Sequence, residues 1–278
     1  MSSKSMSFKA KINNYAKKNH LPAQVVLQNV MFERFLDRLS KSEYKDKFVI
    51  KGGMLISALV GLDTRATMDL DTTLRKLELT EKKVREAVGK ICDTDLSDDI
   101  SFRINSVSPI RKDDVYGGYR VKMEALFEEM ITPLLIDVST GDIITPEAVE
   151  YEISGTMDDS VRIKLWGYNI ETALAEKVET ILSRDVLNTR PRDYYDVYIL
   201  VRGQEYDLNT FQSALYATAE HRGSWERIED WEPILDRLAS NSDLRNLWEK
   251  YRREFYYAKD ISFEETIEAV RKLLKLTN

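Results

Sequence analysis

The spacing of apolar residues changes twice along the chain, near residues 48 and 169. Before residue 48 apolar positions recur at helical spacing, and between the two points short apolar runs alternate with turn residues, as is typical of strands. The pattern predicts strands at 48–50, 68–74, 100–107, 119–126, 134–139, 150–154 and 161–165. It predicts helices at 8–18, 22–40, 54–60, 80–92, 170–187, 191–202, 208–220, 231–239, 242–257 and 262–275. The fold class is therefore α+β, with a mixed sheet and helices followed by a C-terminal helical bundle.

Gly167 interrupts the pattern between the two halves, which predicts one domain at 1–166 and a helical domain at 167–278. The sequence contains no internal repeat and no low-complexity linker. The two halves can still share one interface, because a length of 278 residues does not require two independent domains.

Composition narrows the class of protein. Hydrophobic residues make up 43% and charged residues 32% of the chain, which is typical of a folded globular protein. The single cysteine, Cys92, excludes an intramolecular disulfide and a cysteine zinc site. No apolar run reaches the roughly 18–20 residues of a membrane span, and the N-terminus lacks an apolar signal core, so we expect a cytoplasmic protein without a membrane partner. The net charge of −6 argues against a protein that binds nucleic acid nonspecifically along its length, but it is compatible with a local basic groove.

Candidate chemistry begins in the segment KGGMLISALVGLDTRATMDLDTT, residues 51–73. Gly52 and Gly53 stand between a predicted strand and a predicted helix. Without a Cβ they allow a phosphate to approach the backbone, and the helix N-terminus offers unpaired N–H groups to an anion. A tight strand-to-helix turn is the alternative interpretation of the same pair.

Three aspartates follow on predicted strands. Asp69 and Asp71 are two positions apart and so share a strand face, where carboxylates suit Mg²⁺, although such a pair also occurs on solvated strands. Asp137 interrupts the apolar run 134–138, and the pattern places it on one face with Leu135 and Ser139. An ion pair with an arginine is the alternative explanation for Asp137.

The three features together are more specific than each alone. A Gly-Gly pair, a short helix, an Asp-x-Asp strand and a third aspartate on a later strand are the layout of a two-metal phosphoryl-transfer site. The sequence therefore predicts that Asp69, Asp71 and Asp137 bind Mg²⁺, with Mn²⁺ as a possible substitute. The third carboxylate would ligate a metal or accept the proton of the nucleophile.

Residues 51–73 resemble the first motif of the AbiEii toxins, which are the nucleotidyltransferases of type IV toxin–antitoxin systems and belong with the related MenT toxins to the DNA polymerase beta-like superfamily. The family pattern is a Gly-Gly or Gly-Ser pair, a helix, and Arg-x-Thr/Ser-x-Asp-x-Asp. Here it reads Gly52-Gly53 and then RATMDLD at 65–71. Gly53 stands where many superfamily members have serine, so backbone N–H groups would have to replace a hydroxyl contact to phosphate.

The resemblance continues to about residue 200. The segment AEKVE at 175–179 is similar to the family's Lys-x-x-x-Glu region and supplies Lys177. The segment RPRDYYD at 190–196 is similar to the family's Arg-x-Lys-Asp-x-x-Asp, with Arg192 where lysine is usual. The pattern alone is equally consistent with Lys177 as a surface lysine paired with glutamates. Asp193 is equally well a helix cap or a partner of Arg190 or Arg192.

The resemblance implies transfer of a nucleoside monophosphate from an NTP, with release of pyrophosphate. It implies Mg²⁺ as cofactor, tRNA or another RNA as acceptor, and a cognate antitoxin as partner. Addition to the tRNA 3′ acceptor end would block translation. Lys177 and Asp196 would be catalytic, Lys177 meeting the triphosphate while Asp193 or Asp196 positions Lys177 or the substrate hydroxyl. The substrate-binding residues would be Gly52, Gly53, Arg65, Thr67, Arg192 and Asp193.

Two alternatives remain open from the sequence. The acceptor could be a protein hydroxyl or a small molecule instead of RNA. The chain could also be a catalytically silent binding module, although the intact set of three aspartates argues against that function.

Overall fold

The structure, a computed structural model, describes residues 2–110, 117–158 and 160–275. Its internal contacts divide the chain into two compact units. The first comprises Met1–Asp142 and Val149–Gly167, and the second comprises Ile143–Ala148 and Tyr168–Asn278.

The first unit combines helices with a mixed sheet. Its elements are α1 (Ser3–Lys18), α2 (Ala23–Lys41), β1 (Phe48–Lys51), α3 (Gly52–Val60), β2 (Leu70–Leu74), α4 (Glu81–Cys92), β3 (Ile100–Pro109), β4 (Tyr119–Phe127), β5 (Met130–Thr140), β6 (Val149–Ser154) and β7 (Arg162–Gly167). The described strands form one sheet in the order β3-β4-β5-β2-β1-β7-β6. The β1–β7 and β2–β5 pairs are parallel and the remaining pairs are antiparallel.

Alternation along the strands separates a covered face from an open face. On β5, Ile136 and Val138 are buried, while Leu135, Asp137 and Ser139 lie on the opposite, more exposed face. The predicted alternation on this strand is therefore confirmed. Helix α2 packs against β5 on the covered face, where residues such as Phe35 are buried.

Two strand starts differ from the prediction for identifiable physical reasons. Strand β2 begins at Leu70 instead of residue 68, because the Thr67 hydroxyl bonds the Asp69 carboxylate in a local turn. Strand β5 begins at Met130 instead of residue 134, although Pro133 lies within it. Pro133 pairs with β4 on one side only, since the β2 pairing starts at Ile136. Its carbonyl accepts from Gln28 Nε2 at 2.9 Å, so the backbone polar groups of this residue point away from β4 and its missing N–H removes no ladder hydrogen bond.

The second unit is helical in its described part. It contains α5 (Ile170–Arg184), α6 (Pro191–Gly203), α7 (Leu208–His221), α8 (Trp225–Ile228), α9 (Trp231–Ser240), α10 (Ser242–Glu254) and α11 (Phe263–Lys275). Only the short α8 was not predicted. Helix α5 contacts α6, α7, α8 and α9, and Asn169 caps its first turn by accepting from the Thr172 N–H at 2.7 Å. The predicted fold class, a mixed sheet with helices followed by C-terminal helices, is confirmed.

In the described part of the chain, no helix has the length and apolarity needed to cross a membrane.

Candidate active site

Four charged residues form one row across the open face of the sheet. Strand register places Lys51 opposite Asp71, Asp71 opposite Asp137, and Asp137 opposite Arg120. Residues that face each other on neighbouring strands point to the same side of the sheet, and the strands lie about 4.8 Å apart. Two carboxylates therefore stand side by side between two cations.

The two glycines allow the start of α3 to pack closely against Asp71 and Thr67. Gly52 has a φ of +63°, and a Cβ on it would lie 2.2 Å from Asp71 Oδ2. A Cβ on Gly53 would lie 2.7 Å from Thr67 Oγ1 and 3.2 Å from an Arg65 guanidinium nitrogen. The pair lies inside the first turn of α3, not before it as predicted. The glycines are thus required by the close approach of Asp71 and Thr67, whereas their contact with a phosphate stays a prediction.

Asp69 lies in the segment that precedes β2, so the prediction that it shares a strand face with Asp71 is wrong. The Thr67 hydroxyl donates to Asp69 Oδ1 at 2.8 Å, and Thr67 itself is only 5% exposed. The Thr67 carbonyl accepts from Asn29 Nδ2 at 2.7 Å, which ties the turn to α2. Arg65 is also buried, and its guanidinium donates to the Ala66 carbonyl. Sequence reasoning missed Asn29, although an amide within the apolar stripe of α2 is a usable signal.

Asp137 is held by an arginine, which is the alternative that the sequence left open. Arg120 Nε lies 2.8 Å from Asp137 Oδ1, and Arg120 Nη2 lies 2.6 Å from Oδ2. The hydrogen bond and charge of Asp137 raise the pKa of Arg120 above its ordinary value, and the charges of Asp69 and Asp71 add to this shift. The three predicted carboxylates therefore act on one guanidinium.

Lys51, at the other end of the row, is fixed by a carboxylate that sequence reasoning also missed. Its Nζ lies 2.7 Å from Asp142 Oδ2, and the Ser139 hydroxyl donates to the same oxygen at 2.8 Å. Burial alone would raise the pKa of Asp142, but the charge of Lys51 and the hydrogen bonds from Lys51 and Ser139 bring it below its ordinary value. Asp142 is therefore ionised and holds Lys51 at the end of β1.

The donor chemistry suits a hard divalent cation. Mg²⁺ is commonly held by one or two carboxylates together with substrate phosphates, and Asp69 and Asp71 offer such a pair beside the start of α3. Among the residues that the structure describes, no three His, Cys, Asp or Glu side chains are gathered as a metal site. Asp69 and Asp71 fit the predicted ion, whereas Asp137 is occupied by Arg120.

The second predicted group lies in the helical unit. Lys177 Nζ is 2.8 Å from Asp193 Oδ1 and 2.9 Å from Asp196 Oδ2. Arg190 Nε is 2.8 Å from Asp193 Oδ2 but is not aligned as a hydrogen bond; the hydrogen bond runs from Arg190 Nη2 to Asp193 Oδ1 at 3.2 Å. Both aspartates are fully buried, and Lys177 is 8% exposed. The interpretation of Lys177 as a surface lysine is wrong, and the pairing of Asp193 with Arg190 is confirmed.

Arg192 and the two tyrosines of this segment differ in exposure. Arg192 is exposed on the first turn of α6. The adjacent Tyr194 and Tyr195 are each 1% exposed and pack against aromatic residues of the same unit, so they are core residues and not a platform for a base.

Comparison with known proteins identifies the family. The sequence profile of the family described as nucleotidyl transferase AbiEii toxin, type IV TA system, matches residues 34–270. A search of curated protein sequences gives no match. The solved structure of JHP933 from Helicobacter pylori aligns with 16% identity and a TM-score of 0.51, covering 92% of this chain and 93% of that one. A candidate nucleotidyltransferase from H. pylori aligns with the same identity and TM-score, covering 92% of this chain and 96% of that one.

The two structural likenesses, at this identity, bear on the fold alone. The profile match, by contrast, spans most of the chain and includes both charged groups described above. The resemblance found in residues 51–73 and 175–196 is thereby confirmed. The chain belongs to the AbiEii family and is a nucleotidyltransferase toxin of a type IV toxin–antitoxin system.

Proposed function

We propose that the protein transfers a nucleoside monophosphate from an NTP to RNA, at the tRNA 3′ acceptor end, and thereby blocks translation. The observation that supports this proposal is the alignment of Asp71 with Asp137 on neighbouring strands, with the Gly52–Gly53 turn packed against Asp71 and with Asp69 in the segment just before β2. The choice of RNA as acceptor rests on the family resemblance.

The first unit supplies carboxylates and backbone donors for this reaction. Asp69 and Asp71 would hold Mg²⁺, or Mn²⁺ in its place, and Asp137 would join them when released from Arg120. The bound cation would stabilise the charge that develops on the phosphates and lower the pKa of the attacking hydroxyl. Backbone N–H groups at the start of α3 form the positive end of the helix dipole and are proposed to bind the triphosphate.

The proposed reaction is an in-line displacement at the α-phosphorus of the NTP. The acceptor hydroxyl oxygen forms a bond to the α-phosphorus, and the bond from that phosphorus to the bridging oxygen of the β-phosphate breaks. Pyrophosphate leaves with the electron pair. The hydroxyl proton passes to a carboxylate oxygen of Asp137 and from there to solvent.

The roles of the remaining predicted residues are proposals of the same kind. Arg65 and Thr67 are proposed to support the nucleotide site through Gly53 and Asp69, which they contact. Lys177 is proposed to meet the triphosphate, with Asp193 and Asp196 fixing its Nζ by the contacts described above. The exposed Arg192 is proposed to contact substrate.

The test is a transfer assay with purified protein, Mg²⁺, total tRNA and each α-³²P-labelled NTP in turn, resolved on a denaturing gel. We expect a labelled tRNA band with the wild type. Asp71→Asn should abolish the band, whereas Asp260→Asn should keep it, because Asp260 is 86% exposed in the other unit. A labelled protein band in place of RNA would move the assignment to protein modification, and no labelled RNA with any NTP would overturn it.

A growth assay distinguishes toxicity by catalysis from toxicity by binding alone. Expression of the wild type should arrest growth, and Asp69→Ala should relieve the arrest at equal protein level. Arrest that is unchanged by Asp69→Ala would favour a silent binding module over the proposed transfer.

A further inference from the structure

Strand β4 presents two arginine–carboxylate pairs with the same cross-strand relation. Arg103 lies opposite Glu124 across β3 and β4, and Arg120 lies opposite Asp137 across β4 and β5. Arg103 Nε donates to Glu124 Oε2 at 3.0 Å. Only the Arg120 pair stands in the row that contains Asp71. The two pairs therefore share a cross-strand relation, but they differ in hydrogen bonding, because both Arg103 nitrogens bond the single oxygen Oε2 of Glu124, and in electrostatic surroundings.

Arg120 engages both oxygens of Asp137 with a planar fork, which is the strongest arrangement for an arginine and a carboxylate. Two carboxylates held side by side repel each other unless a positive charge offsets them. Arg120 supplies that charge at the position where a third metal ligand is proposed. The Arg120 side chain is 43% exposed, so its guanidinium can leave into solvent without a buried charge being created on the arginine.

We propose that Arg120 is a built-in counterion that occupies Asp137 until a divalent cation arrives, and that the cation and the guanidinium exchange at this carboxylate. This inference rests on the proposed function, because it takes Asp69, Asp71 and Asp137 as the cation site. Arg120 is a positioning residue that acts through Asp137.

The exchange predicts that replacing the Arg120 guanidinium with a neutral group increases the affinity for a divalent cation. Removing the fork removes a competitor, so Arg120→Gln should bind Mn²⁺ about two- to fivefold more tightly than the wild type, the range expected for a part-exposed ion pair. A merely structural role for Arg120 would weaken metal binding instead. Arg103→Gln removes a cross-strand arginine–carboxylate pair outside the row and should leave Mn²⁺ affinity unchanged.

Arg120→Lys separates two explanations of such a gain. Lysine keeps the positive charge but cannot make the two parallel hydrogen bonds of a guanidinium. If contact with Asp137 is what competes, Arg120→Lys should bind Mn²⁺ with an affinity between the wild type and Arg120→Gln. If long-range charge alone is responsible, Arg120→Lys should equal the wild type, which would overturn the exchange.

The experiment titrates Mn²⁺ alone, without nucleotide or RNA, and measures free Mn²⁺ by electron paramagnetic resonance. Wild type, Arg120→Gln, Arg120→Lys, Arg103→Gln and Asp71→Asn are compared, with Asp71→Asn as the expected loss of site. Thermal unfolding with and without Mn²⁺ gives a second readout. Arg120→Gln should be less stable than the wild type without the ion and should gain more from its addition.

Equal or weaker Mn²⁺ binding by Arg120→Gln would overturn the proposal, whatever the transfer assay shows. Labelled tRNA together with unchanged Mn²⁺ affinity would therefore reject the exchange and keep the proposed function. Tighter Mn²⁺ binding by Arg120→Gln without any transfer by the wild type would support the exchange and reject the proposed function.

Discussion

The buried charge cluster of the helical unit allows a quantitative test. Lys177 and Arg190 balance Asp193 and Asp196, so the cluster is neutral although both aspartates are fully buried. Lys177→Met would leave two buried carboxylates with the single positive charge of Arg190. Breaking a buried pair by removing one partner costs about 3–5 kcal/mol. We therefore expect Lys177→Met to lower the free energy of unfolding by that amount.

A second substitution should return part of this stability. In Lys177→Met/Asp196→Asn the charge is balanced again by the remaining Arg190–Asp193 pair. The new amide leaves some buried hydrogen-bonding capacity unsatisfied, at a cost of about 1–3 kcal/mol. The double variant should accordingly recover about 2 kcal/mol relative to Lys177→Met alone.

Urea unfolding followed by tryptophan fluorescence is a suitable measurement. Three of the four tryptophans, Trp225, Trp231 and Trp248, lie in the helical unit, so the signal reports mainly on that unit. Lys250→Met is the matched control, because Lys250 is exposed on α10 and its replacement should change stability by no more than about 0.5 kcal/mol. A loss below about 1 kcal/mol for Lys177→Met, or a double variant no more stable than the single one, would refute the electrostatic reasoning.

Two further predictions concern the first unit. Gly53→Ala should cost about 1–3 kcal/mol, because its Cβ would lie 2.7 Å from Thr67 Oγ1, whereas Gly89→Ala, with nothing within 4 Å, should stabilise α4 by about 0.5–1 kcal/mol. Shifts of the same sign in denaturant midpoint would contradict this. Burial raises the pKa of Glu33 from 4.5 to about 7, despite hydrogen bonds from Thr156, so the folded state holds this proton more tightly than the unfolded state. Stability should therefore fall as pH rises from 4.5 to 7. The unfolding free energy of Glu33→Gln should show less of this fall, and a difference from the wild type that is constant with pH would reject the assignment.

Local periodicity predicted which residues share a face, because that property depends on neighbours in sequence. Asp193 and Asp196, three positions apart on a helix, were expected on one side of α6, and both contact Lys177. Asp137 was expected opposite the apolar face of its strand, and it is. Periodicity did not reveal that the Asp193–Asp196 side of the helix is fully buried, because burial depends on the helices packed around α6.

The charged row could not be predicted, since it depends on strand order. Lys51, Asp71, Asp137 and Arg120 become neighbours only because β4, β5, β2 and β1 are adjacent in the sheet. A shift of one residue in any of these pairings would move one side chain to the other face. The sequence could propose an arginine partner for Asp137, but only register identifies it as Arg120.

The charged row on the sheet and the charge cluster of the helical unit differ in their access to solvent. In the helical unit Asp193 and Asp196 have no contact with water, so removing a counterion there leaves a carboxylate with nothing to replace it, and the effect falls on stability. On the sheet the Arg120 and Asp137 side chains are 43% and 19% exposed, so water or a cation can replace the departing partner. Water and small ions can therefore reach the carboxylate at the sheet, whereas solvent does not reach the two aspartates of the helical cluster. For that reason we expect Arg120→Gln to change metal affinity and Lys177→Met to change the free energy of unfolding.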